Sequence, residues 1–173
     1  MAQTPVYGLP YQTANDAPNG PLLGQQLAEA VEAELQRIDA ALAAGLTAQI
    51  GTVATTQATT STSYTDLATV GPSVTVTIGP SGLALVIVTA FAFNANATQV
   101  NYMSYQVSGA TSRSPSDAKA MILHAQIVNG QGRQSAMHLE TGLAPGSTTF
   151  TAKYRVNGGN GSFANRTLIV VTW

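Results

Sequence analysis

Between residues 64 and 173 the sequence runs in eight short stretches of β-branched, aromatic and small residues. They are cut apart by Gly-Pro, Asn-Gly, Pro-Gly and Gly-Gly pairs, with no helical periodicity between them. This pattern limits the possible folds more than any other feature. The stretches are 64–69, 74–78, 83–93, 101–107, 120–128, 134–140, 148–156 and 166–173. Strict alternation in Val74-Thr75-Val76-Thr77-Ile78 and in Phe150-Thr151-Ala152-Lys153-Tyr154-Arg155-Val156 marks strands with one buried face and one wet face. Eight such strands, punctuated only by turn chemistry, predict a mainly β fold: a jelly-roll-like antiparallel β-sandwich over 64–173.

The stretch 83–93 is apolar on both alternating sets. Leu83, Leu85, Ile87, Thr89 and Phe91 form one, and Ala84, Val86, Val88, Ala90 and Ala92 the other. A strand open to water on one face alternates with polar residues, so this strand is expected to be covered on both. The expectation is that the larger set meets the opposite sheet. The smaller set, with Val86 and Val88, would then meet a neighbouring subunit near a threefold axis.

Upstream the chain changes character twice. Residues 1–21 hold Pro5, Pro10, Pro18 and Pro21, which exclude a helix or an interior strand and favour an extended arm. Val6, Tyr7, Leu9 and Tyr11 are its candidate anchors on a partner. Residues 22–45 read as one helix, with Pro21 at its start and Gly45 beyond its last periodic residue. It carries four of the eight acidic residues, Glu29, Glu32, Glu34 and Asp39. Leu27, Val31, Leu35, Ile38 and Leu42 recur on one face. With Leu35 and Leu42 at heptad position a, and Val31 and Ile38 at d, the seam suits three or more strands. The stripe meets either other copies or the chain's own β domain, since a helix of about 35 Å is marginal alone in water. Residues 46–63 form a Thr-rich linker that is compatible with a strand or an extended spacer.

Composition limits the chemistry. Charged residues make up 9% of the chain, the net charge is −1 and there is no cysteine. Disulfides and thiol catalysis are therefore excluded, and nothing draws the chain to nucleic acid or an anionic membrane. No signal peptide is read at the start, and the longest apolar run is too short to span a bilayer. His124 and His138 stand without acidic neighbours at metal-ligand spacing. No G-x-S-x-G is present, and the β region holds only Asp66, Asp117 and Glu140 as acids, far apart. Gly158-Gly159-Asn160-Gly161 reads as a hairpin loop, lacking the lysine and following helix of a phosphate cradle. Asn96-Ala97-Thr98, Asn160-Gly161-Ser162 and Asn165-Arg166-Thr167 match the glycosylation sequon by chance composition. No enzyme, cofactor or metal site is expected.

Two stretches carry a resemblance. TPVYGLPYQTANDAPNGPLLGQQLAEAVEAELQRIDAAL resembles the openings of virion structural proteins from tailed phages of actinobacteria. TSTSYTDLATVGPSVTVTIGPSGLALVIVTA, with YMSYQVSGAT and GLAPGSTTFTAKYRVNGGNGSFANRTLIVV, is similar to the β-sandwich module those proteins carry. The resemblance implies a non-enzymatic structural role, homotrimers and a place on the exterior of the virion. On that footing the expected protein is a head decoration, minor capsid or head-fibre protein whose arm docks on the major capsid protein. The alternative is a tail-fibre or minor tail protein, held to tail proteins, that binds host-surface glycans. For that role the loops offer Asn94, Asn96, Gln99 and Asn101 beside Tyr102 and Tyr105.

Overall fold

Proline supplies a preset φ and needs no backbone donor in the first helical turn. Helix α1 spans Gly20–Ala43, with Pro21 in that turn. The computed structural model describes residues 2–3, 10–11, 20–43 and 45–173, in two units, Met1–Gly45 and Leu46–Trp173. In the first unit, β1 (Ala2–Gln3) and β2 (Pro10–Tyr11) form an antiparallel ladder pairing Ala2 with Tyr11. Within the region read as an extended arm, residues 2–3 thus run antiparallel to residues 10–11. Val6, Tyr7 and Leu9 lie outside the described residues. On α1, Arg37 bridges to Glu34 one turn back, and Gln25 donates to Glu29.

The second unit is a two-sheet antiparallel sandwich. Its strands are β3 (Thr47–Val53), β4 (Gln57–Thr59), β5 (Ser73–Ile78), β6 (Ala84–Asn94), β7 (Gln99–Gly109), β8 (Met121–Ala125), β9 (Gln131–Glu140), β10 (Gly146–Val156) and β11 (Gly161–Thr172). One sheet has the order β5-β10-β7-β8. The other has β3-β11-β6-β9, with β4 also paired to β11. With β4 set aside, eight strands remain, in the orders second-seventh-fourth-fifth and first-eighth-third-sixth. That is jelly-roll topology, as the alternation and turn pattern predicted. Residues 46–63, read as linker or strand, belong to this unit: β3 pairs with β11 from Thr47↔Thr172 to Arg166↔Val53.

The core lies between the sheets. The β5-β10-β7-β8 sheet contributes large side chains, among them Tyr105, Phe150, Tyr154, Met103 and Met121. The other sheet answers with Ala84, Val86, Val88, Ala90 and Ala92 from β6 and Leu168 and Val170 from β11. Tyr154 and Phe163 meet across the sheets with ring centroids 4.9 Å apart, a contact worth about 0.5–1.5 kcal/mol beyond its buried area.

This packing overturns the facing expected for 83–93. Val86 and Val88 are buried in the core of a single chain, while Leu85, Ile87, Thr89 and Phe91 point outward and remain half-exposed. The cause is volume. Aromatic and methionine side chains fill the interior from the opposite sheet, so small residues must stand across from them to reach close packing. Val86 and Val88 are therefore not a trimer face.

Two further expectations change. Residues 64–69 form no strand; Thr65 makes one isolated bridge to Tyr154, extending the β10 edge beyond β5. Residues 157–160 join β10 in one sheet to β11 in the other, so Gly158-Gly159-Asn160 is an intersheet crossing and not a hairpin turn. Space is tight there. A Cβ on Gly161 would lie 2.6 Å from the Asn101 Oδ1 and against the Val156 methyl.

Candidate interaction surfaces

Strand alternation gives the sandwich two outer faces, and the first is polar. On β5 and β10, Ser73 meets Thr151 and Thr75 meets Thr149 through hydroxyl contacts of 3.0 and 2.8 Å. Lys153, further along β10, donates to both carboxylate oxygens of Asp66 at 2.8 Å. The register pairs Arg155 with Tyr102 on β7, and the guanidinium stacks 3.8 Å from that ring's centroid. The same guanidinium donates to Asp117, as does the Tyr64 hydroxyl at 2.9 Å. These donors hold the Asp117 carboxyl below its usual range, Arg155 contributing most and Tyr64 after burial's opposing push. Burial and Asp117 together push the Tyr64 hydroxyl up. Sequence reading treated these cations as scattered; the period-2 register of β7 and β10 is the signal that brings Arg155 and Tyr102 together.

Glu140 closes the other ionic cluster, at the end of β9. It is 1% exposed and accepts from Tyr105 Oη at 2.8 Å, Lys119 Nζ at 3.1 Å and Arg113 Nη1 at 2.6 Å. Arg113 Nη2 also donates to the Thr141 carbonyl at 2.6 Å. Burial alone would raise the Glu140 carboxyl. The Tyr105 hydrogen bond and the two cations outweigh it, so the group titrates below its usual value. The cluster pins the connection between β7 and β8 to the end of β9.

All three acids of the β region are thus engaged by cations, two on the polar outer face through neighbouring positions of β10 and one in the buried cluster at the end of β9. Asp66 has Lys153, Asp117 has Arg155, and Glu140 has Arg113 and Lys119. Glu140 is buried away from the polar face that carries the other two. Among the described residues there is no group of three or more His, Cys, Asp or Glu side chains suited to a metal ion. His124 is exposed on β8 and His138 half-buried on β9, in different sheets.

The loop residues offered for glycan binding are largely spoken for. Asn94 and Asn101 are buried, with Asn94 Nδ2 donating to Asn101 Oδ1 at 2.8 Å and to the Gly158 carbonyl at 3.2 Å. Asn101 Nδ2 in turn donates to the Phe93 carbonyl at 2.9 Å. These amides tie the β6–β7 loop to the intersheet crossing. Tyr105, expected at a loop surface, is fully buried against Glu140. Arg166 is buried too. Its guanidinium lies over Tyr154 and donates to Gln57 Oε1 at 2.9 Å, holding the segment after β3 against β11. A cavity of about 260 Å³ beside the β11 bulge, lined by Thr52, Arg133, Asn165 and Thr167 among others, brings no acid.

On α1, Leu27, Val31, Leu35 and Ile38 are between 39 and 56% exposed, a continuous apolar stripe facing solvent. The Leu42 side chain lies outside the described residues. No described helix is long and apolar enough to cross a membrane.

No protein-family model matches the sequence, and no curated protein matches it. Solved structures share the fold. A chain of infectious bursal disease virus, Gx strain, is similar with a TM-score of 0.52 and 10% identity, over 74% of this chain and 32% of that one. The VP2 subviral particle of the same virus is similar with a TM-score of 0.48 and 12% identity, over 74% of this chain and 33% of that one. Murine APRIL gives a TM-score of 0.42 and 11% identity, over 73% of this chain and 100% of that one. The first likeness concerns the sandwich fold alone at this identity, and the matched region spans about a third of the viral chain. The other two add nothing to it.

Proposed function

We propose that this chain is a non-enzymatic virion structural protein of a tailed phage, a homotrimeric head decoration or minor capsid protein on the exterior of the particle. The arm docks on the major capsid protein through Val6, Tyr7, Leu9 and Tyr11. Helix α1 joins three copies along Val31, Leu35, Ile38 and Leu42 as a short coiled coil, and the sandwich is displayed outward. The observation that carries this reading is the exposed apolar stripe of α1. A helix of 24 residues is marginal by itself and must bury such a stripe. The jelly-roll topology supports the reading, because a viral chain shares that fold. So does the locking of every β-region acid into an ion pair, which leaves no unpaired carboxylate there to serve as a general acid or base. Binding to particles works by repetition: a modest contact at each of many sites stiffens a shell through avidity.

The test is a titration of purified protein onto particles stripped of it, with light scattering on the free protein. A free trimer that saturates the particle at hundreds of copies, and loses binding when residues 1–21 are deleted, is the expected result. A handful of copies would move the protein to the tail. Undiminished binding without the arm would overturn the docking assignment.

A further inference from the structure

The second outer face of the sandwich, formed by β3-β11-β6-β9, is unlike the first. Residues in direct register build it in rows across all four strands. Ile50, Ile169, Ile87 and Met137 form one complete row. Ala48, Val171, Leu85 and Leu139 form the next. A third row is uncharged, with Thr89 and Ser135 hydroxyls 2.8 Å apart. Arg133, opposite Phe91 near one end, is the charged residue of this face among those described. Met137 and Ile50 are 68 and 64% exposed. An antiparallel sheet with a solvated face carries polar residues there, as the β5-β10-β7-β8 face does.

We infer that this face is where copies of the chain meet, three faces closing around a threefold axis; the inference rests on the trimeric reading above. Apart from Arg133 near one end the face is uncharged, so its apolar rows gain nothing from a charged partner. A second copy of itself buries the two apolar rows without stranding a charge, Arg133 staying at the rim. The dimensions suit three. Four strands at about 4.8 Å spacing make a face about 19 Å wide. Three such faces enclose a prism whose walls lie about 5.5 Å from the axis, close to half the roughly 10 Å that separates packed sheets. The outward side chains therefore fill the prism and leave no channel. Along Leu85–Phe93 the face runs about 30 Å, so each copy offers about 570 Å², some two thirds of the roughly 800 Å² that each partner gives a stable interface. The helix stripe supplies the remainder.

Sedimentation equilibrium of the full chain tests this. The variant is Ile50→Lys with Met137→Lys, both on edge strands and exposed in the single chain, so folding is preserved. Thr75→Lys on the polar face is the control. The wild-type and T75K chains should be trimers, and the double variant should need at least a thirtyfold higher concentration to associate while melting as the wild type does. A second readout uses the absence of native cysteine. Met137→Cys should react with a maleimide at least tenfold more slowly in the trimer than in the Ile50→Lys background. A double variant that trimerises undiminished, or a thiol equally reactive in both, overturns the inference and leaves the trimer intact. A wild-type monomer overturns the trimeric reading as well.

Discussion

Replacing Glu140 with glutamine isolates the energetics of the buried ionic cluster. Glutamine keeps the shape and one carbonyl acceptor but removes the charge that two cations share. The cations respond differently. Arg113 is 37% exposed and turns to water; Lys119, at 9%, cannot. The cost is therefore dominated by one buried, uncompensated ammonium, about 3 kcal/mol. In a domain of this size each kcal/mol moves the midpoint by roughly 3–4 °C, so E140Q should melt about 10 °C lower at neutral pH. The sign with pH follows from the lowered carboxyl. Its folded value lies below its unfolded value, so the stability is fully present above the usual glutamate value of about 4.3 and fades as pH falls through the folded one. Wild type and E140Q should therefore converge on acidification. Calorimetry on both proteins between neutral pH and pH 3 measures this. Lys119→Met added to E140Q should recover most of the loss, because it removes the uncompensated ammonium and leaves the glutamine to accept from Tyr105. A loss below 1 kcal/mol, or a double variant worse than E140Q, would refute the account.

Two further outcomes follow from the packing. Val86→Asp should unfold the sandwich, with a loss above about 4 kcal/mol, whereas Thr75→Asp should change stability by less than about 0.5 kcal/mol; urea titration of each decides whether Val86 is core or surface. Gly161→Ala should cost about 1–3 kcal/mol, because its methyl group meets Val156 and the Asn101 amide on two sides; a midpoint equal to wild type would mean the intersheet crossing is free to shift.

Local pattern made much of this fold legible. Period-2 alternation located β5 and β10 to within two residues, and the proline-glycine bracket located α1. What escaped was set by contacts distant in sequence. The facing of β6 depends on aromatics of β7 and β10, which no window around 83–93 contains. The strand at Thr47–Val53 forms because β11, more than a hundred residues later, supplies its partner. Glu140 was read as an isolated acid since Tyr105, Arg113 and Lys119 lie 21 to 35 positions upstream. Asn94 and Asn101 looked like surface carboxamides, and their burial shows only once the intersheet crossing lies over them. The apolar stripe of α1 was read directly, because a helix face repeats within a few turns.

The pairing of β3 with β11 has a consequence for how the chain is made. The strand at Gly161–Thr172 lies inside its sheet, between β3 and β6, and Thr47 touches Thr172 through hydroxyls 2.8 Å apart. During synthesis the earlier strands must wait, with apolar rows uncovered, until residue 172 has left the ribosome. Structure dominated by such long-range pairing folds in milliseconds to seconds, late and largely in one step. An arrest anywhere within β11 would remove the centre of a sheet, leaving two unpaired edges that favour aggregation over folding.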